Sequence, residues 1–80
     1  MDIEMARQVI KVAFRTCSEL QELLPLLKER CGADEYKNYA LGIAAAIDAI
    51  GVSLTNKALA AHPELVEEIE AKVTRYGSFK

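Results

Sequence analysis

The chain carries few residues whose types could do chemistry, and each has an ordinary reading beside the chemical one. His62 is the only histidine, so any acid–base or nucleophilic scheme that relies on imidazole must use it. It stands immediately before Pro63, which places it in a surface turn with a backbone hydrogen bond as its expected role. Glu64, Glu67 and Glu68 follow within two turns. Clustered carboxylates can hold a divalent cation or move protons, but acids in the first turn of a helix also answer the helix dipole. The Glu-x-x-His pattern of di-iron bundles is absent, and no metal site is expected.

Cys17 and Cys31 are two heptads apart. On one continuous helix that is about 21 Å, too far for a disulfide within the chain. A thiol pair between two copies is the chemical reading. Small apolar residues filling a helix–helix seam is the ordinary one, and no zinc spacing is present. Arg7, Lys11 and Arg15 form a basic stripe at i, i+4 and i+8 that could dock an acidic partner, an anionic ligand or an RNA backbone. A solvated helix face explains them equally, and without interleaved aromatic residues they are poor evidence for nucleic acid. Tyr36, Tyr39 and Tyr76 suit helix ends, where a ring is buried while its hydroxyl stays wet. No Gly-rich phosphate loop, nucleophile with a base, or zinc motif is present, so neither catalysis nor a cofactor is expected.

Asp48 is the most informative single residue. It interrupts the most apolar stretch of the chain, and its own helix offers no Lys or Arg three or four residues away. Either it faces water, or it pairs with a base on another helix or chain. A polar residue in a helix seam commonly fixes register or oligomeric state.

The elements that position these residues are helical throughout, since no apolar alternation and no Asn-Gly or Asp-Gly turn appears. Ala6, Ile10, Ala13, Cys17, Leu20, Leu24, Leu27 and Cys31 are spaced 4-3-4-3-4-3-4, one stripe of a single helix. That spacing predicts a helix over 3–31, kinked at Pro25 because a backbone hydrogen bond is lost there, and closed by Gly32 as a left-handed cap. A second helix, capped by Asp34, is predicted over 35–61, with a bend at Gly51. Its seam is Tyr36, Ala40, Ile43, Ile47, Ile50, Leu54 and Ala58. A second apolar stripe on it, Leu41, Ala45, Val52 and Leu59 with Asp48 at its border, needs cover from another side. Gly42, Ala46, Ala49 and Ser53 form a line of small residues that admits a close helix neighbour. A third helix is predicted over 63–76, with an apolar face at Leu65 or Val66, Ile69, Val73 and Tyr76 and a stop at Gly77.

Two long helices joined by a tight turn make an antiparallel hairpin about 40 Å long, which a third helix half as long cannot cover on both arms. The fold class is therefore all-α: an antiparallel helical hairpin plus a short third helix, dimerising into a helical bundle. The competing arrangement is a compact monomer of short helices bent at Pro25 and Gly51. The predicted interface is Leu41, Ala45, Asp48, Val52 and Leu59.

Composition agrees with this picture. Eighty residues make one domain, and 51% hydrophobic with 28% charged residues excludes a disordered tail. Ten basic against twelve acidic residues leave a net charge of −2, without the basic excess that nucleic-acid binding favours. The first residues, Met1-Asp2-Ile3-Glu4-Met5, do not read as a signal peptide. The weakly polar run Tyr39 to Leu54 would rise about 24 Å as a helix, short of a bilayer core of about 30 Å. The expected function is a protein–protein interaction or assembly module acting as a cytoplasmic homodimer. The partner is a second copy or another protein, with no nucleic acid and no membrane. The alternative is a ligand- or metal-binding helical carrier.

Overall fold

Asp2 starts the first helix, α1 (Ile3–Arg30), by accepting a hydrogen bond from the Met5 amide at 2.8 Å. Glu4 in its first turn and Lys28 and Arg30 in its last complement the dipole. The computed structural model describes residues 1–76, with Tyr76 described in its backbone only. Among these residues the chain is all-α, with no strand. The eight-residue stripe of α1 faces inward: Ala6, Ile10 and Ala13 are buried, and Cys17, Leu20, Leu24, Leu27 and Cys31 are half-buried. The helix runs unbroken through Pro25. Pro25 and Gln21, whose carbonyl loses its helical donor, are both exposed, so water can satisfy the freed carbonyl.

The turn after α1 differs from the expectation. Cys31 closes the last helical bond, its amide donating to the Leu27 carbonyl at 2.8 Å, and then turns extended. Gly32 follows at φ −68° and ψ 167°, also extended and not left-handed. Two extended residues separate the helices without any positive φ. Gly32 rather than Asp34 is the N-cap of α2 (Ala33–Ile50), its carbonyl accepting from the Tyr36 amide at 2.9 Å. Asp34 and Glu35 lie inside the first turn, where their charge still suits the dipole.

The second run does not end at Gly51. A π turn (Gly51–Thr55) joins α2 directly to α3 (Asn56–Ala61), with the Asn56 amide donating back five residues to the Gly51 carbonyl. The widened turn inserts one residue into the period and rotates everything beyond it. Tyr36, Ala40, Ile43, Ile47 and Ile50 face inward as the spacing requires, and then the seam slips. Leu54 is 44% exposed, while Thr55, Ala58, Leu59 and His62 turn in.

His62 ends α3 at φ −137° and ψ 77°, outside the helical region as a residue before proline should be. Its carbonyl accepts from the Leu65 amide at 3.1 Å, and that of Pro63 accepts from the Val66 amide at 3.1 Å. This turn delays α4 (Leu65–Tyr76) by two residues from the expected start at 63. Leu65 is buried and Ile69 half-buried, whereas Val66 and Val73 are 39% and 40% exposed, so only part of the expected face packs. The proposed stop at Gly77 lies outside the described residues.

α1 packs along α2, the π turn and α3. The core is concentrated at one end, where Ala6, Ile10, Ala58 and Leu65 meet, with Ile3, Val9, Phe14, Leu59 and Ile69 packed around them. The chain measures 45 × 25 × 14 Å with a radius of gyration of 14.8 Å, against about 11.6 Å for a compact chain of this length.

Candidate interaction face

α1 covers only one side of α2, and the opposite side is apolar. Leu41 is 61% exposed and Val52 57% exposed, and Ala45 and Asp48 between them are exposed as well. These four expected interface residues share the outward face. Leu59, the fifth, lies beyond the π turn and packs partly against the core cluster instead. Gly42, Ala46, Ala49 and Ser53 are half-turned to the same open side, and a Cβ added at Gly42 would meet nothing within 4 Å. Among the described residues no helix makes the close approach that the small residues allow. Between Tyr36 and Asn56 the only charged residues are Lys37 and Asp48, both exposed. Among the described residues neither takes part in an ion pair. Apolar spacing gives no signal for Lys37, which is charged. Its position four residues before Leu41 and eleven before Asp48 puts it on the same stripe.

Arg7, Glu68 and His62 are engaged in holding the fold. The basic stripe is divided: Arg7 is half-buried and ties α1 to α4, Lys11 is half-buried, and Arg15 is exposed. Its Nε donates to both oxygens of Glu68, at 3.1 and 3.0 Å, and its Nη1 donates to Glu4. These two carboxylates, Glu68 first, raise the guanidinium further above its already high range. The three glutamates are thereby divided: Glu68 pairs with Arg7, Glu64 with His62, and Glu67 is exposed. Among the described residues no group of three His, Cys, Asp or Glu lies close enough to hold a metal ion.

His62 clamps the molecule rather than addressing a cleft. Its Nε2 lies 2.8 Å from the Met1 carbonyl oxygen and its Nδ1 lies 3.1 Å from a Glu64 oxygen. Both neighbours are acceptors, so the imidazolium, with two N–H donors, satisfies them together. The Met1 carbonyl and then Glu64 raise the pKa of His62 above 6.5. The Glu64 carboxyl is lowered from 4.5 by its own backbone amide and by His62. Cys17 and Cys31 are both free and half-buried. The Glu35 carboxylate, with burial second, holds the Cys31 thiol above its ordinary value, which disfavours the reactive thiolate. Tyr36 is half-buried, Tyr39 is 56% exposed, and the side chain of Tyr76 lies outside the described residues. A shallow apolar groove beside Met1, Val9, Leu54 and Ala61 encloses about 170 Å³, below the ~300 Å³ at which organic ligands are usually held.

Because the helix continues through Gly51, the apolar stretch belongs to a run of 29 residues, Ala33–Ala61, whose most apolar part has a mean hydropathy of 1.3. By length and composition that run can cross a membrane, although the 16-residue count from sequence fell short. Comparison with protein-family models, with curated proteins and with solved structures found no match to this chain.

Proposed function

We propose that the chain is a small helical assembly module that works as a cytoplasmic homodimer, with no catalysis of its own. In this reading α1 and the α2–α3 run form an antiparallel hairpin, and two hairpins complete a four-helix bundle through the outward faces of α2. The observation that carries the reading is the exposed apolar face of α2. Light scattering on a sizing column in reducing buffer tests the proposal, with a mass twice that of the chain expected. A monomer at tens of micromolar overturns it.

A second reading has one specific observation in its favour, the membrane-compatible length of Ala33–Ala61. Weighing against it, Asp48 sits on the exposed side near the middle of the apolar run, where a bilayer would charge about 2.5–3.5 kcal/mol for an ionised residue. Flotation with neutral phospholipid vesicles separates the two readings. The homodimer leaves protein in the aqueous fraction, and the membrane reading carries it up with the lipid.

A further inference from the structure

The homodimer reading leaves open how the two α2 helices meet, and the charges on the outward face select one register. At 100° per residue, Lys37, Leu41, Ala44, Ala45, Asp48 and Val52 fall within an arc of about 100° on the side away from α1. Lys37, Leu41, Ala44 and Asp48 follow a 4-3-4 spacing, the seam of a shallow helix crossing. This seam has an internal symmetry of charge and size. Reversing it about its midpoint exchanges the base with the acid, and the large Leu41 with the small Ala44.

We propose that two copies of the chain pack antiparallel through α2 about a twofold axis at its midpoint, between Gly42 and Ile43. Lys37 of each copy then meets Asp48 of the partner subunit, and Leu41 fills the space over Ala44 of the partner subunit. The same axis sets Val52, in the π turn, against Ala33 of the partner subunit, so the contact runs the length of α2. Two observations carry this register. Lys37 and Asp48 are the only charges from Tyr36 to Asn56, and neither is in an ion pair among the described residues. Parallel packing sets Asp48 against Asp48 and Lys37 against Lys37, which like-charge repulsion disfavours.

The inference rests on the homodimer reading, and a charge-exchange experiment separates their failures. Wild type, Lys37→Asp, Asp48→Lys and the double variant are measured by sedimentation at low salt, with helicity followed by circular dichroism. Both positions are exposed, so each variant is expected to keep the wild-type helicity. Each single variant brings two like-charged pairs together and is expected to weaken dimerisation by about tenfold or more. The double variant, and an equimolar mixture of the two single variants, restore opposite pairing and are expected to recover the dimer. A monomeric wild type overturns the homodimer and this register together. A dimeric wild type with unaffected single variants, or with weakened single variants that neither the mixture nor the double variant rescues, overturns the register alone.

Discussion

The two ends of this molecule are built from the same helices but held very differently. At the end that contains Met1, three helices converge: Ala6 and Ile10 of α1 meet Ala58 of α3 and Leu65 of α4. Arg7–Glu68 and His62–Met1 lie around this cluster. At the other end, around Pro25 and Gly32, α1 and α2 are the only helices among the described residues. There the same stripe of α1 is half-buried at Leu20, Leu24 and Leu27, and Leu23 and Leu26 are 44% and 53% exposed. Apolar residue type is alike at both ends. What differs is how many helices cover it, because burial of a helix stripe depends on neighbours on both flanks.

The sharpest way to break this comparison is to remove the same kind of side chain from each end. Ile10→Ala should cost about 2–5 kcal/mol in urea unfolding, because Ile10 is fully buried among three helices. Leu24→Ala should cost less than half as much, and equal losses would show that the open end is as tightly packed as the closed one. Pro25→Ala acts in the opposite direction. Restoring the bond to the Gln21 carbonyl should stabilise the open end by about 1–3 kcal/mol and narrow the difference. Amide hydrogen exchange should follow suit, with residues 6–14 protected well beyond residues 22–27 and the gap shrinking in the Pro25→Ala protein.

Glu68→Gln should loosen the closed end selectively, raising exchange in α4 more than in α2, with the wild-type advantage reduced by salt. The smallest effect belongs to the histidine clamp. Because the folded chain holds the His62 proton above 6.5, that contribution is complete below 6.5 and is lost as pH rises through the folded value. Glu64 runs the other way, contributing above 4.5 and losing its contribution as pH falls through its lowered value. The clamp is therefore complete between 4.5 and 6.5. An NMR titration of the His62 ring should give a midpoint above 6.5 that drops in Glu64→Gln.

Local periodicity made much of this legible before any coordinates. The stripe from Ala6 to Cys31 is a pattern within one helix, and all eight of its residues turn inward. The π turn was invisible for a related reason: a widened turn leaves no mark on apolar spacing, so Leu54 read as seam and Thr55 did not. The cap at Gly32 failed because glycine permits positive φ without requiring it, and two extended residues close the turn equally well. The Arg7–Glu68 pair joins positions 61 residues apart, and no local pattern announces it. Asp48 was legible as an anomaly, and the structure adds that it is exposed and shares its face with Lys37.

The π turn also constrains how the chain can change in length. The turn holds one residue more than α geometry would between two otherwise ordinary helices, and so keeps the inward face continuous along α1. Deleting one of these five residues lets the turn relax to α geometry and leaves Ala58, Leu59 and His62 facing α1, because the turn holds the one residue that α geometry does not need. Removing one residue from an exposed loop is usually absorbed nearby. Here the π turn does the same inside a continuous helical run, and it is a further added residue that would be passed on rigidly to the core beyond.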